Sequence, residues 1–212
     1  MIASRKSGVG KWLEPLECRR LLAGNVAVAF DPVANQVTIV GDTKANQLQL
    51  TFDVFTAELT LDGLNGTTVN GAASVPVDSQ VPLTIDTGKG DDVVHLRTVG
   101  PGSLTIQQPL NIETAKGTDS VLFDNLTYED VSISTGEGSD DVVMTNVFFM
   151  ASLAIDTGNG GDSVTFTDTP FGVTAKHVTI DGQKGPDAVI GVENLELLPF
   201  GTLVIEDVEV IA

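Results

Sequence analysis

One pattern recurs five times along the chain, and it constrains the fold more than any other feature. Each copy has an isoleucine, a glycine five positions later, an aspartate seven positions later and a valine nine positions later. The five copies start at Ile85, Ile112, Ile133, Ile155 and Ile180. An apolar residue, a glycine-rich turn and a second apolar residue form a strand–turn–strand unit that cannot bury its apolar side alone. The pattern therefore predicts units that stack on one another.

A weaker copy precedes these five. It starts at Ile39, with Lys44 and Asn46 in the glycine and aspartate positions and Leu48 in the valine position. Its presence indicates that the stack begins well before residue 85.

The repeat length predicts the fold class. Intervals of 27, 21, 22 and 25 residues match about one coil of a β-solenoid. The segments between the turns are rich in Val, Ile, Leu and Thr, and apolar and polar residues alternate in places, as in Val164–Phe166. We predict an all-β fold, a right-handed parallel β-solenoid of roughly seven coils over residues 25–212, with like turns about 4.8 Å apart. Antiparallel β-sandwich repeats are the alternative, because a unit of this length also fits a hairpin.

The turns carry the candidate chemistry. Glycine lets a turn adopt positive φ and lets backbone carbonyls approach an ion, while aspartate supplies a hard anionic oxygen of the kind that Ca²⁺ prefers. The candidate metal-binding residues are Asp86, Gly88, Gly90, Asp92, Asp119, Gly136, Gly138, Asp140, Asp156, Gly158, Gly160, Asp162 and Asp187. The same spacing is also ordinary turn chemistry, so turns without metal stay open as an alternative.

Three copies resemble a known calcium motif. Thr87–Val94, Thr135–Val142 and Thr157–Val164 are similar to the hemolysin-type calcium repeat G-G-x-G-x-D-x-U-x. The resemblance implies Ca²⁺ in the turns. Those repeats run in tandem every nine residues, whereas here one copy occurs per coil, which predicts a modest affinity of roughly 10⁻⁴–10⁻³ M.

Composition narrows the partners. The chain has 29 Asp and Glu against 11 Lys and Arg, for a net charge of −18, which excludes a nucleic-acid partner because little basic surface is left for phosphates. Residues 1–23 carry +3, which leaves −21 for the rest. The only cysteine, Cys18, excludes an intramolecular disulfide, and no apolar run approaches a membrane span.

The N-terminal segment predicts the location. Leu16, Glu17, Arg19, Leu21 and Leu22 match a segment similar to the L-E-P-R-x-L-L sorting motif of planctomycete-type bacterial surface proteins, although Cys18 stands in the proline position. The resemblance implies a secreted or cell-surface protein with an export leader over residues 1–24, which we expect to be poorly ordered, ahead of the β-repeat domain.

The predicted function is structural. Asp86-Thr87-Gly88 and Asp156-Thr157-Gly158 resemble the paired loops of aspartic proteases, but the same repeat position holds serine or glutamate in other copies. We therefore expect no enzyme and predict a structural or adhesive surface protein with calcium as its cofactor. Extracellular polysaccharide and other surface proteins are possible further partners. A carbohydrate-binding or carbohydrate-processing solenoid and a metal-free spacer domain are the alternatives.

Overall fold

Short strands separated by tight turns make up most of residues 24–101, 105–167 and 172–211, the part of the chain that the computed structural model describes. The strands are β1 Asn25–Asp31, β2 Gln36–Val40, β3 Gln47–Asp53, β4 Glu58–Gly63, β5 Thr68–Val69, β6 Ser74–Val77, β7 Leu83–Asp86, β8 Val93–Val99, β9 Thr105–Ile106, β10 Leu110–Glu113, β11 Lys116–Gly117, β12 Ser120–Asp124, β13 Thr127–Ser134, β14 Glu137–Gly138, β15 Asp141–Thr145, β16 Val147–Asp156, β17 Asn159–Gly160, β18 Ser163–Phe166, β19 Val173–Asp181, β20 Ala188–Ile190, β21 Leu195–Glu206 and β22 Glu209–Ile211. A 3₁₀ helix spans Val192–Asn194. Within the described residues there is no α-helix and no helix long and apolar enough to cross a membrane.

The strands stack in parallel as a β-solenoid. One sheet runs through β2, β7, β10, β13, β16, β19 and β21, the second through β3, β8, β12, β15, β18, β20 and β22, and a short third through β11, β14 and β17. Each coil passes from the first sheet through a turn to the second sheet and returns one level further along. The predicted β-solenoid is confirmed, with about five complete coils rather than seven.

The register of the stack follows the sequence repeat. The isoleucines of successive first-sheet strands pair directly, and so do the valines of the second sheet. The paired residues are Ile39, Ile85, Ile112, Ile133, Ile155, Ile180 and Ile205 in the first sheet, and Leu48, Val94, Val121, Val142, Val164, Val189 and Val210 in the second. We call each such level a rung. The last rung escaped the sequence analysis because it has neither the glycine nor the aspartate.

Antiparallel hairpins cap the N-terminal end of the solenoid, in a region where the sequence predicted parallel coils. Strand β1 pairs antiparallel with β2, β3 with β4, and β4 with β6. These hairpins cover the first rung, and Leu59 and Leu61 of β4 are buried there. They use up the residues that the prediction assigned to further coils. Antiparallel pairing is thus confined to this cap, and the β-sandwich alternative is wrong for the repeats.

The core lies between the two long sheets and is formed by the inward residues of every rung but the last, where Val210 is 51% exposed. Ile85 and Val94 are 0% exposed, as their counterparts in neighbouring rungs nearly are. Phenylalanines join them at the second inward position of the second sheet, where Phe123 pairs with Leu96 and Met144. Because like residues stack in line, every coil buries its apolar side against the next, which fixes the position of the turns.

Candidate cation site in the stacked aspartate turns

The turns between the two sheets are packed so closely that only glycine fits at one position. A Cβ atom added to Gly117 would lie 1.7 Å from the carbonyl oxygen of Gly90, and one on Gly160 would lie 1.5 Å from that of Gly138. No side chain can occupy that space. The glycine five positions after each isoleucine is therefore required by backbone packing, whether or not the turn binds an ion.

The preceding glycine position is required for its backbone conformation. Gly88 and Gly136 have φ of 87° and 94°, in the left-handed region. Ala115 and Gln183, the two departures from glycine in the sequence, keep the same conformation with φ of 68° and 56°. All five turns thus share one geometry, and two of them carry the strain of a non-glycine residue at positive φ.

The aspartates seven positions after the isoleucines form a continuous line along the inner side of the turns, which we call the aspartate column. Its members are Asp92, Asp119, Asp140, Asp162 and Asp187, each at most 4% exposed. The Oδ1 atom of each of the last four accepts a hydrogen bond from the backbone N–H of the member one rung earlier. The Asp92 N–H donates to Asp119 at 2.7 Å, and the Asp140 N–H donates to Asp162 at 2.8 Å. The structure thus aligns the residues that the repeat predicted would align.

The second carboxyl oxygen of each column member is unpaired. The Oδ2 atoms of all five are buried without a hydrogen-bond partner. Buried polar atoms are normally satisfied, and a buried charge without compensation is costly. Among the described residues, no ion pair reaches the column, so its carboxyls lack a positive partner.

A line of threonine hydroxyls runs beside the column and satisfies it only in part. The Thr87 hydroxyl has no other partner and can donate to the Asp92 carboxyl, whereas the later threonines also face carbonyl oxygens. The Thr114 hydroxyl faces the Asp119 carboxyl and donates to the Thr135 carbonyl oxygen at 3.1 Å. The Thr135 hydroxyl in turn donates to the Thr157 carbonyl at 2.9 Å. A hydroxyl has a single hydrogen, so it cannot serve both the carboxyl and the carbonyl. Sequence analysis missed these residues, although a threonine two positions after the isoleucine recurs in four of the five copies.

Burial disfavours the charged form of the column carboxyls. Desolvation raises the pKa of Asp119 and of Asp162 from the ordinary value of 3.8 to about 6, against the opposing effect of the backbone N–H that each accepts. The neighbouring Asp140 raises both further, and burial also raises the pKa of Asp92 and of Asp140 itself. The column therefore favours any species that neutralises it, whether a proton or a metal cation.

The donor chemistry fits a hard cation. The side-chain groups that the column offers are carboxylates and threonine hydroxyls, and oxygen atoms of this kind, with backbone carbonyls, are Ca²⁺ ligands. Half of the roughly 4.8 Å between rungs is about 2.4 Å, close to a Ca²⁺–oxygen distance and longer than a Mg²⁺–oxygen distance. No cluster of three or more His, Cys, Asp or Glu side chains converges anywhere in the described ranges. A gap offers at most two carboxylates, so further ligands would have to be backbone carbonyls.

Two of the predicted metal-binding aspartates lie elsewhere. Asp86 and Asp156 end strands of the first sheet and point outward, on the side opposite to the inward isoleucines. Asp156 accepts hydrogen bonds from the Gln183 Nε2 at 2.6 and 2.8 Å. Three strand spacings separate Asp86 from Asp156, about 14 Å, so these two carboxyls cannot share a proton as a catalytic pair does.

A groove of about 680 Å³ lies at the opposite corner of the coils, where the second sheet returns to the first. Asn125, Thr127, Asn146, Phe148 and Met150 line it, together with six other described residues, and none of these lining residues is charged. In an acidic chain this groove is a neutral surface. It is separate from the aspartate column.

No protein-family model, no curated protein and no solved structure matches this chain.

Proposed function

We propose that this chain is a secreted or surface-displayed structural protein, without catalytic activity, whose solenoid is stabilised by Ca²⁺ held along the aspartate column. The observation that carries the proposal is the line of five buried carboxyls, each with one unpartnered oxygen. The column residues and the carbonyls of the turn glycines would hold the ions. When bound, Ca²⁺ would supply the positive charge that none of the described side chains brings to the column.

The placement of basic side chains supports this proposal. Lys116, at the surface of a turn, pairs with Glu137 at 2.5 Å, and both side chains are more than half exposed. This ion pair lies outside the column and leaves its carboxyls uncompensated. Neutralisation must therefore come from solution, and an ion that binds only the folded state stabilises it by mass action.

Placement outside the cell is supported by the sequence. The sorting-type segment lies in residues 1–23, outside the described residues, so the export assignment stays a prediction. Calcium is abundant outside cells, where modules with affinities of roughly 10⁻⁴–10⁻³ M are occupied. A chain with a single cysteine has no internal disulfide to stabilise it there, and bound metal would take that role.

Thermal unfolding in about 10 mM Ca²⁺, well above the expected dissociation constants, tests the proposal against the same melt with a chelator. We expect a clearly higher midpoint in Ca²⁺, and a smaller rise in Mg²⁺, which needs a tighter octahedral site and retains its water. An unchanged midpoint would instead support the metal-free spacer.

A matched pair of variants assigns the effect to the column. Asp140→Asn removes one buried column charge, and Glu58→Gln removes one exposed charge of the cap. The first should reduce the Ca²⁺-dependent rise in midpoint, and the second should leave it unchanged. Equal reductions would indicate general screening of the acidic surface and would contradict a specific site.

Binding of an uncharged saccharide is a second candidate function, favoured by the neutral groove. The Asn146 Nδ2 donates a hydrogen bond to the Asn125 Oδ1 of the preceding coil at 3.1 Å, and the partly exposed Phe148 lies beside them. Amides and an aromatic face are groups that recognise sugars. Because the described lining residues include no carboxylate, we propose binding rather than hydrolysis.

Retention on an affinity gel of neutral polysaccharide tests the groove. Retention that Phe148→Ala abolishes, and that Phe55→Ala in the exposed cap leaves intact, would support it. Retention that is the same in both variants would place any binding elsewhere.

A further inference from the structure

The first rung differs from all the later ones that carry the column, because Asn46 occupies the aspartate position. Its backbone N–H donates to the Asp92 Oδ1 at 2.6 Å, the same bond that links successive column members. Asn46 is 0% exposed. It is therefore the structural counterpart of a column aspartate with an amide in place of the carboxylate.

The amide nitrogen of Asn46 is surrounded by oxygen. Nδ2 donates to the Lys44 carbonyl at 2.8 Å and the Thr87 carbonyl at 3.1 Å, and it lies 3.2 Å from the Asp92 Oδ1 and 3.4 Å from the Asp42 carbonyl. The amide oxygen points the other way, toward Gly24. A neutral group that carries two polarised hydrogens thus fills the gap between the first two rungs.

Because the strands pair in register, equivalent residues surround Asp92 in the next rung. There the residues that correspond to Lys44 and Thr87 are Gly90 and Thr114, and the atom that corresponds to the amide nitrogen is the unpartnered Oδ2 of Asp92. The register places this oxygen among carbonyl oxygens, where the otherwise unpartnered Thr87 hydroxyl brings one hydrogen. A carboxylate in such surroundings still carries a charge that needs a positive species beside it. Each Asp rung therefore lacks what the amide of Asn46 supplies.

Position 41 supports the same assignment. The rung of Asn46 has Gly41 where the next rung has Thr87, and a Cβ on Gly41 would lie 2.8 Å from the Asn46 Nδ2 and 2.3 Å from the Thr87 carbonyl oxygen. The first rung thus pairs asparagine with glycine, whereas the rungs from Asp92 to Asp162 pair aspartate with threonine and the rung of Asp187 pairs aspartate with Gly182. Asparagine with glycine brings two hydrogens and no charge, whereas aspartate with threonine brings one hydrogen and a negative charge.

We infer that Asn46 ends the cation column: its amide takes the place of a cation in the first gap, and the chain binds four Ca²⁺ ions, one in each gap between successive column aspartates. This inference rests on the proposed function. It adds the number of ions and the residue that sets where the column begins. At the other end the column stops at Asp187, because the last rung has no aspartate in that position.

The number of ions can be counted through their linkage to unfolding. At Ca²⁺ concentrations above the dissociation constant, the logarithm of the unfolding equilibrium constant is plotted against log[Ca²⁺]. The slope of this plot gives the number of ions released on unfolding. Measured on the full chain at about pH 7.5, above the raised pKa values, the slope should correspond to four ions. Asn46→Asp opens the first gap to a cation and should give five, with a lower midpoint in chelator. Asp92→Asn moves the neutral end by one rung and should give three.

The outcomes separate this inference from the proposed function. Glu58→Gln, an exposed control, should stay at four. If the wild-type protein releases Ca²⁺ but neither column variant changes the slope, the role of Asn46 is refuted while calcium binding stands. If the wild-type slope is zero, both proposals fail. If Asn46→Asp does not fold even in Ca²⁺, Asp92→Asn alone decides: a slope of three supports the inference and a slope of four overturns it.

Discussion

Replacing Asp119 by asparagine should stabilise the metal-free protein at neutral pH, which is unusual for a buried polar residue. The substitution keeps the shape of the side chain, and the asparagine Oδ1 can still accept the backbone N–H of Asp92. It removes a charge whose second oxygen is buried without a partner. The new amide nitrogen can donate to the surrounding carbonyls, as Asn46 does in the first rung.

The magnitude follows from the pKa of the carboxyl. A rise from 3.8 to about 6 corresponds to about 3 kcal/mol of unfavourable free energy when the carboxyl is ionised. Neighbouring column carboxyls titrate together, so we expect the gain for a single substitution to be on the order of 1–3 kcal/mol. For a chain of this size that is a rise in the thermal midpoint of roughly 2–12 °C.

The sign of the pH dependence makes the test specific. Because the folded state binds the Asp119 proton more tightly than the unfolded state, wild-type stability falls as the pH rises from about 4 through about 6. The advantage of Asp119→Asn should therefore be full at about pH 7.5 and nearly absent at about pH 4, where the wild-type carboxyl is protonated.

Chemical denaturation in chelator at both pH values is the assay. A variant that is less stable than the wild type by the same amount at both pH values would refute the reasoning, because it would show that the ionised carboxylate is satisfied in the folded state. In Ca²⁺ the order should reverse, since Asp119 borders two of the proposed cation gaps.

Three further results are expected. Gly160→Ala should destabilise the fold by several kcal/mol or prevent folding, because its Cβ would lie 1.5 Å from the Gly138 carbonyl oxygen, whereas Gly161→Ala, whose Cβ would approach only Pro186 at 3.4 Å, should fold normally; comparable urea midpoints for the two variants would contradict this. Ala115→Gly should raise the free energy of unfolding by roughly 0.5–1 kcal/mol, because the residue has φ of 68°, and a loss of stability in the same titration would argue against strain. The chelated wild-type protein should melt at a higher temperature at about pH 5 than at about pH 7.5, since burial raises the pKa values of Asp92, Asp119, Asp140 and Asp162; a lower midpoint at the acidic pH would show that other groups dominate.

The sequence by itself determined the period and the register. In a parallel stack each residue lies beside its counterpart one coil later, so the spacing from Ile85 to Gly90, Asp92 and Val94 recurs in every copy. The alternation of inward and outward side chains along a strand also determined which way Asp86 and Asp156 point. Asp86 directly follows an inward isoleucine and must point outward, so only the inward aspartates could have formed the column.

The tertiary structure alone decided what the turns and the ends do. The hairpins of the cap depend on which N-terminal strands pair with each other in three dimensions. The repeated residues do not indicate this pairing. The unpartnered oxygens of the column depend on how one threonine hydroxyl is shared between a carboxyl and a carbonyl of the next coil. The role of Asn46 follows from contacts with Thr87 and Asp92, which lie more than 40 positions away in the chain. Hydrogen-bond satisfaction is a property of three-dimensional neighbours, and a pattern of residues along the chain does not contain it.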